Sequence, residues 1–181
     1  MCEIGCGTGR LALVFAELYP NSAFIATDID KDCLEIARQT ASEKGLPNIS
    51  FEKQDACNLP ADWSDKFSYI FMFDVLHDIP FASKALKEFL RVVKTGCYVT
   101  AMEMNVHTNT GLSAKQAHAP NLYGSSLYHC LPVAAFTEGS ECLGAVWGRE
   151  QALELCYKVG FSEVKDICEE TDSEYHLLCK K

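Results

Sequence analysis

A cluster of glycines near the start of the chain follows an acidic residue, at a spacing that suits close contact with a bound ligand. The segment reads Glu3-Ile4-Gly5-Cys6-Gly7-Thr8-Gly9. It lies between a short apolar stretch and a helical pattern that opens near Arg10, so the turn delivers the chain onto a helix N-terminus. The dinucleotide-binding pattern needs a glycine at the place of Arg10, so the match to that pattern is incomplete.

Acidic residues recur where the following strands should end. Asp28, Asp55 and Asp74 each come after a stretch that reads as a strand, and Glu3 lies beside the first one. The carboxyl ends of parallel strands meet at one edge of a sheet, so these carboxylates would ring one crevice. They would repel a pyrophosphate, but they suit a ribose diol, an ammonium group and a cationic sulfonium. S-adenosylmethionine carries all three groups, although each acid could also be a solvated strand-end residue.

The elements that must position these residues alternate along the chain. Apolar runs that suit buried strands are Ala23–Asp28, Ser68–Phe73 and Tyr98–Met102, with a short first strand at Met1–Ile4. Helical spacing appears at Leu11–Leu18, Leu34–Ala41, Ala82–Val93 and Ala152–Val159, the last followed by Gly160 as a C-cap. The pattern predicts an α/β fold: a Rossmann-like, doubly wound, mainly parallel sheet with helices on both faces.

Two regions interrupt this alternation. Phe161–Cys168 and Glu174–Cys179 read as strands joined by a polar stretch, which predicts a C-terminal antiparallel hairpin. Residues 107–146 are too long for an ordinary connection, so we expect an ordered insertion or lid there. The length of 181 residues predicts a single domain spanning 1–181.

Composition narrows the classes of partner. Sixteen Lys and Arg against 25 Asp and Glu give a net charge of -9, which argues against binding to nucleic acid. No apolar run is long enough to span a bilayer and the start lacks the pattern of a signal peptide, so we expect no membrane contact and a cytoplasmic location. The ten cysteines form no Cys-x-x-Cys pair, so we interpret them as reduced, buried thiols.

Taken together, the Glu-x-Gly-x-Gly-x-Gly segment, the acidic Asp28 and Gln54-Asp55-Ala56 resemble the class I S-adenosylmethionine-dependent methyltransferases. The resemblance implies that S-adenosylmethionine is the cofactor and that the chain is an enzyme. It places the turn from Gly5 through Cys6 and Gly7 to Gly9 beneath the methionine moiety, with Glu3 nearby. Asp28 and its neighbour Ile29 would bind the ribose end, Asp55 the adenine amino group and Ala56 the ring, while Asp74 would border the donor methyl.

A narrower resemblance covers segments further along the chain. Leu76-His77-Asp78-Ile79-Pro80, Ser126–Pro132 and Leu143–Gly148 resemble a group of methyltransferases of undefined substrate that carry a winged-helix domain ahead of the catalytic domain. On this comparison the chain corresponds to the catalytic part alone, truncated at its N-terminus. The resemblance implies a small-molecule acceptor, and a homodimer formed through the missing N-terminal region.

The expected reaction is transfer of a methyl group to an oxygen or nitrogen of a small molecule. Such a displacement needs alignment, and a general base where the acceptor loses a proton. His77 is the candidate base, since a His-Asp pair resembles that of plant-type O-methyltransferases, and Asp78 could orient it. Alternatively, His77 caps the next helix or satisfies a backbone carbonyl, and Asp78 caps the helix near Ala82. The chain could instead bind the cofactor without catalysis.

We expect no metal ion. A site of the catechol type needs several oxygen ligands close together after the fourth strand, and Glu103 and Asn105 are the only weak candidates. His107, His118 and His129, with Tyr123, Tyr128 and Trp147, could wall a partly apolar acceptor pocket, although core or loop packing is the favoured explanation for any one of them.

Overall fold

A computed structural model describes residues 1–167, 169 and 172–181 of the chain. The described residues contain seven strands: β1 (Cys2–Ile4), β2 (Phe24–Asp28), β3 (Ile49–Lys53), β4 (Phe67–Phe73), β5 (Val93–Met104), β6 (Glu163–Ile167) and β7 (Glu174–Lys180). They form one sheet in the order β3-β2-β1-β4-β5-β7-β6. The first five strands pair in parallel, whereas β7 lies antiparallel between β5 and β6. The predicted Rossmann-like fold is therefore confirmed.

The helices connect these strands in the expected places. They are α1 (Arg10–Leu18), α2 (Lys31–Glu43), α3 (Ala82–Val92), α4 (Thr110–Ser113), α5 (Ala119–Ser125), α6 (Leu131–Ala135) and α7 (Arg149–Val159). Short 3-10 turns occupy Ala61–Trp63 and Leu76–Asp78, and a π-helical turn occupies Ser126–Cys130. Gly160 ends α7 in the left-handed conformation, as its place in the sequence predicts.

Apolar residues cover both faces of the sheet. Successive strand residues point to opposite faces, and in β2 Ile25 packs against one core cluster while Ala26 belongs to the other. The larger cluster includes α3 and α7, with Leu86 and Phe89 fully or almost fully buried. The smaller cluster packs α1 and α2 against β2 and β3. Helices on both faces thus fix the strand ends that carry the acidic residues.

The first strand lies at the centre of the sheet despite its length of three residues. Cys2, Glu3 and Ile4 are all buried, and β1 pairs with β2 on one side and β4 on the other. The turn after β1 therefore opens at the point where the strand order reverses, which is where open α/β sheets bind ligands.

The C-terminal strands pair as an antiparallel hairpin, with Val164 opposite Cys179. Cys168, the predicted end of the first of these strands, lies outside the described residues. Strand β5 begins at Val93, earlier than the apolar run predicted, because Val93 pairs with Phe67 and the amide of Gly96 donates to the carbonyl of Lys181. Pairing partners far along the chain, invisible in a local pattern, extend this strand.

Segment 107–146 contains α4, α5, the π-helical turn and α6. It contacts the region after β4, where the amide of Glu141 donates to the carbonyl of Pro80 at 2.8 Å and the Glu141 carboxylate accepts from the amide of Ser83. The segment thus lies beside the strand ends, and its role as a lid stays a prediction.

Among the described residues, no helix is both long and apolar enough to cross a membrane.

Candidate functional site

The glycine turn after β1 uses its three glycines for different purposes. Gly5, Gly7 and Gly9 have φ values of 68°, 53° and 77°, a region that side chains disfavour. A Cβ on Gly5 would lie 2.5 Å from Val75, and a Cβ on Gly9 would lie 2.7 Å from Phe51. A Cβ on Gly7 would meet nothing within 4 Å. Gly5 and Gly9 therefore allow close packing, whereas Gly7 leaves an open surface that a ligand can approach.

Asp28 fixes this turn to the end of β2. Its Oδ2 accepts from the amide of Gly7 at 2.7 Å, and its Oδ1 accepts from the amide of Asp30 at 2.8 Å. The carboxylate thus stabilises the turn even before any ligand binds. Its oxygens keep further lone pairs, since each carboxylate oxygen can accept more than one hydrogen bond.

A cleft of about 300 Å³ runs along the carboxyl ends of the parallel strands. Its polar wall includes Asp28, Asp55, Asp74 and Asp78, so acids predicted from four separate positions meet around one cavity. The remaining lining residues are Ile4, Gly5, Thr27, Ile29, Gln54, Ala56, Val75, Ile79 and Pro80. Asp55 also accepts from the amide of Cys57 at 2.8 Å, which holds its carboxylate at the rim.

A second cleft of about 460 Å³ lies on the other side of Gly5, which lines both. Its wall includes Glu3, Cys6, Arg10 and Phe73. Glu3 is only 4% exposed, and its Oε2 has no hydrogen-bond partner. Burial raises the pKa of Glu3 to about 8, against a backbone amide that lowers it. A buried carboxylate oxygen without a partner is costly, so this oxygen can accept a hydrogen bond from a ligand.

A buried carboxylate that the sequence analysis did not assign to this role orients His77. Glu103 on β5 is fully buried and its Oε2 lies 2.6 Å from Nδ1 of His77. Its Oε1 accepts from the amide of Leu76 at 2.8 Å. Glu103 thus holds both the backbone and the imidazole of the turn that follows β4, and the alternative that His77 bonds a backbone carbonyl is not what the structure shows.

The other nitrogen of His77 faces acids of the cleft wall. Nε2 lies 3.5 Å from Oδ1 of Asp78 and 3.7 Å from Oδ1 of Asp74. Burial disfavours the charged imidazole, but the Glu103 hydrogen bond and the neighbouring carboxylates outweigh it and raise the pKa of His77 to about 9. For Asp74, in contrast, burial raises the pKa of the carboxyl group, although His77 opposes that shift. His77 itself is buried behind the two aspartates.

Asp78 does not cap the following helix, as the alternative interpretation held. Helix α3 has Phe81 as its N-cap residue, whose side chain makes no cap hydrogen bond, and the amide of Ser83 in the first turn donates to the carboxylate of Glu141. The carboxylate of Asp78 instead reaches the cleft and the imidazole of His77.

The structure separates several candidates from the cleft. Gly7 and Gly9 line neither cavity, and Glu3 and Cys6 line only the second. In 107–146, His107 bonds Glu150 at 2.6 Å and His118 lies 2.8 Å from the carbonyl of Asn105. These histidines have local partners and are not among the residues that line either cavity.

Two residues of the site were missed as binding or positioning groups. Glu103 was weighed only as a metal ligand, although an acid just after the apolar run Tyr98–Met102 could have signalled a buried charge with a partner. Arg10 was noted only as a departure from the dinucleotide pattern. It lines the second cleft close to the turn, where its guanidinium can bind an anionic group.

Comparison with known proteins agrees with this geometry. A family model described as "Methyltransferase domain" matches residues 1–160. A demethylmenaquinone methyltransferase of Geobacillus is 29% identical over 110 residues, covering 60% of this chain and 47% of the relative. An uncharacterized methyltransferase of Bacillus subtilis, YcgJ, is 34% identical over 92 residues, covering 51% of this chain and 35% of the relative. The chain thus spans less than half the length of these curated relatives.

The crystal structure of YcgJ from Bacillus subtilis superimposes with a TM-score of 0.70 at 22% identity, covering 92% of this chain and 63% of that one. This likeness shows that the fold is shared. Because the family model spans most of the chain and the acidic residues and glycine turn meet where that fold binds its ligand, the chain belongs to the methyltransferase domain family of class I S-adenosylmethionine-dependent methyltransferases.

Proposed function

We propose that the protein binds S-adenosylmethionine in the acid-lined cleft and transfers its methyl group to a small molecule that enters beside Asp74 and Asp78. The cleft itself carries this proposal, because Gly5 of the glycine turn and four carboxylates line it at the reversal of strand order. Four negative side chains favour a cationic ligand over a pyrophosphate. The same geometry therefore argues against a nicotinamide dinucleotide.

The adenosine end fits the part of the cleft formed by β2 and β3. Asp28 keeps lone pairs for the ribose hydroxyls, and Ile29 beside it is exposed and can cover the sugar or the base. Asp55 and Ala56 line the next stretch, where a carboxylate can accept from an amino group and a methyl group can pack on a ring. Gln54 adds an amide that sequence reasoning did not assign to the wall.

The amino-acid end fits the glycine turn and the second cleft. Gly5 lines both cavities and Gly7 presents an open backbone surface. The unpartnered Oε2 of Glu3 would accept from the ammonium group, and Arg10 would pair with the carboxylate. Cys6 lines the same cleft. The ammonium group thus finds a buried hydrogen-bond acceptor, and the carboxylate finds a cationic side chain.

The bound cofactor supplies a methyl group on a sulfonium sulfur that needs no further activation. The residues after β4 would then align the acceptor and take its proton. Asp78 lines the cleft and lies 3.5 Å from Nε2 of His77, which Glu103 orients through Nδ1. We propose that His77 and Asp78 act as a pair, with Asp78 nearest the acceptor. The raised pKa of His77 favours the protonated imidazole at neutral pH, and a base must be neutral. Its role as a base therefore requires a nearby cation, which would lower that pKa.

The acceptor end of the cleft has mixed character. Val75, Ile79 and Pro80 line it together with Asp74 and Asp78. This wall suits a partly apolar small molecule with a hydroxyl or amino group, and we propose methylation at oxygen or nitrogen. A relative named demethylmenaquinone methyltransferase and one named ubiquinone/menaquinone biosynthesis C-methyltransferase are only 29% and 30% identical, so they support methyl transfer but neither the acceptor nor the methylated atom.

Transfer of a labelled methyl group to a panel of phenols, alcohols and amines tests the reaction, with release of S-adenosylhomocysteine as the common readout. We expect turnover on at least one acceptor class and its loss in the Asp78→Ala variant. Tight binding of S-adenosylhomocysteine without turnover on any class would favour the alternative, a cofactor-binding domain that does not catalyse transfer.

A further inference from the structure

Three side chains with different metal-ligand atoms meet at the edge of the cleft. A ring nitrogen of His77, a carboxylate oxygen of Asp78 and Sγ of Cys130 all lie within 4.8 Å of one another. The first two belong to the turn after β4, and Cys130 ends the π-helical turn in segment 107–146. His77 and Cys130 are buried. Nitrogen, oxygen and thiolate sulfur together form the donor set that Zn²⁺ prefers.

The imidazole of His77 is already oriented as a ligand. Its Nδ1 lies 2.6 Å from the buried carboxylate of Glu103, so Nε2 is the nitrogen that points toward Asp78. Histidines that bind metals usually donate their other nitrogen to such a carboxylate. The separation of 3.5 Å between Nε2 and Oδ1 of Asp78 matches the spacing of about 3.3–3.6 Å between ligands on a tetrahedral zinc ion.

The cluster also lacks a balancing charge. Oδ1 of Asp78 is buried and makes no hydrogen bond to Nε2, and the neighbouring thiol of Cys130 is a group that can donate to this carboxylate. Asp74 and Glu103 bring two more carboxylates to the same imidazole. Even a protonated His77 leaves this group with excess negative charge, and a divalent cation would compensate it.

We propose that His77, Asp78 and Cys130 form a binding site for a thiophilic divalent cation, with Zn²⁺ as the expected ion. On binding, the Cys130 thiol gives its proton to solvent, and Nε2 of His77 holds the metal in place of a proton. Three protein ligands leave one position of a tetrahedral ion open, as in catalytic zinc sites. An acceptor hydroxyl or thiol bound there would lose its proton more readily.

This site differs from the oxygen-ligand site that the sequence analysis considered and did not find. It combines residues from two distant segments, so ligand spacing along the chain could not signal it. The site also does not depend on the proposed methyl transfer. Metal on Nε2 and a base at Nε2 exclude one another, so the metal-bound and metal-free forms would activate an acceptor by different means.

Titration of the chelator-treated chain with Co²⁺ and Zn²⁺ tests the site. We expect one Co²⁺ ion to bind with the near-ultraviolet absorption of a cobalt–thiolate bond. Cys130→Ser should abolish that absorption and weaken Zn²⁺ binding by at least about 100-fold, and Asp78→Asn should weaken Zn²⁺ binding by about 10–100-fold. Cys142→Ser, which removes an exposed thiol, is the matched control and should bind as the parent chain does.

The site is ruled out if the absorption survives in Cys130→Ser, or if the parent chain and both ligand variants bind Zn²⁺ equally. Circular dichroism shows whether Cys130→Ser is folded, and if it is not, the Zn²⁺ affinity of Asp78→Asn, a change on the cleft wall, decides between the outcomes. Titration of the same samples with S-adenosylhomocysteine separates the two proposals. Cofactor binding without metal binding overturns the metal site alone, and metal binding without cofactor binding overturns the proposed function alone.

Discussion

At the scale of single residues, the carboxylates in and behind the walls of the two clefts have distinct tasks set by their partners. Asp28 supports the glycine turn through the amide of Gly7, Asp55 is held by the amide of Cys57, and Glu103 is engaged by His77 and Leu76. Glu3, by contrast, keeps a buried oxygen without a partner. Identical side-chain chemistry thus gives binding, positioning and support according to burial and neighbours.

Asp28→Ala should weaken the binding of S-adenosylhomocysteine by roughly 1.5–3 kcal/mol, the scale of a hydrogen bond to a charged group. The variant removes the ribose acceptor and also frees the amide of Gly7. Calorimetric titration measures the loss. Asp32→Ala is the control, because Asp32 is exposed at the start of α2 and lines neither cavity. Equal affinity of parent and Asp28→Ala would remove Asp28 from the site.

His77→Gln should lower turnover by about 10²–10⁴-fold on an identified acceptor, the usual contribution of a positioned acid or base. Affinity for S-adenosylhomocysteine should stay within about twofold, because His77 lies behind the cleft wall. Steady-state rates and calorimetry on the same preparation separate the two effects. Unchanged turnover would reject the catalytic role.

At the scale of elements, the turn between β1 and α1 distinguishes packing from binding. Gly9→Ala should destabilise the fold by about 2–4 kcal/mol, since its Cβ would press on Phe51 in a disfavoured conformation. Gly7→Ala meets no neighbour and should cost only about 1 kcal/mol of strain, while its methyl group should reduce cofactor affinity. Denaturant unfolding and calorimetry measure both variants. The reverse ranking of stabilities would contradict these assignments.

The root of segment 107–146 is tied to α7 by an acid-sensitive contact. Glu150 accepts from the amide of Thr108 at 2.7 Å and lies 2.6 Å from Nδ1 of His107. Although burial opposes it, these hydrogen bonds lower the pKa of Glu150 to about 2. Because the pKa of Glu150 is lower in the folded than in the unfolded chain, its ionised carboxylate stabilises the fold at pH values above about 4.5. That stabilisation is lost as the pH falls from about 4.5 toward 2.

Hydrogen exchange of residues 107–113 should therefore speed up as pH falls below about 4.5, beyond the intrinsic dependence of exchange on pH. Glu150→Gln should remove most of this additional change. Glu154→Gln is the matched control, because Glu154 sits exposed on the same helix and pairs with Lys158. An identical pH profile for parent and Glu150→Gln would show that the contact does not hold the segment.

At the scale of the whole molecule, local patterns predicted what depends on neighbours in sequence. A continuous apolar run predicts a strand buried on both faces at Ala23–Asp28, and helical spacing predicts a helix with one buried face at Ala82–Val93. Both elements are present within about one residue of the predicted bounds. The order of the acids around the cleft followed from the parallel topology. Site residues that depend on long-range contacts could not be predicted from local patterns. Glu103 and Cys130 come close to His77 only when β5 and segment 107–146 have folded against the turn after β4.

Assembly belongs to the same scale and stays a prediction. A homodimer through an N-terminal region was inferred from resemblance alone, and the described residues do not test it. Sedimentation velocity of the 181-residue chain over a range of concentrations reports the oligomeric state. We expect a monomer for this chain if dimerisation needs that region. A stable dimer would place the interface within residues 1–181.

The central claim is that the acid-lined cleft binds S-adenosylmethionine. Calorimetric titration of the folded chain with S-adenosylmethionine, S-adenosylhomocysteine and NAD in parallel tests it most directly. We predict binding of the first two at one site, weakened in Asp28→Ala, and no binding of NAD. Binding of NAD alone, or no binding of either adenosyl compound by a chain shown to be folded, would contradict the account.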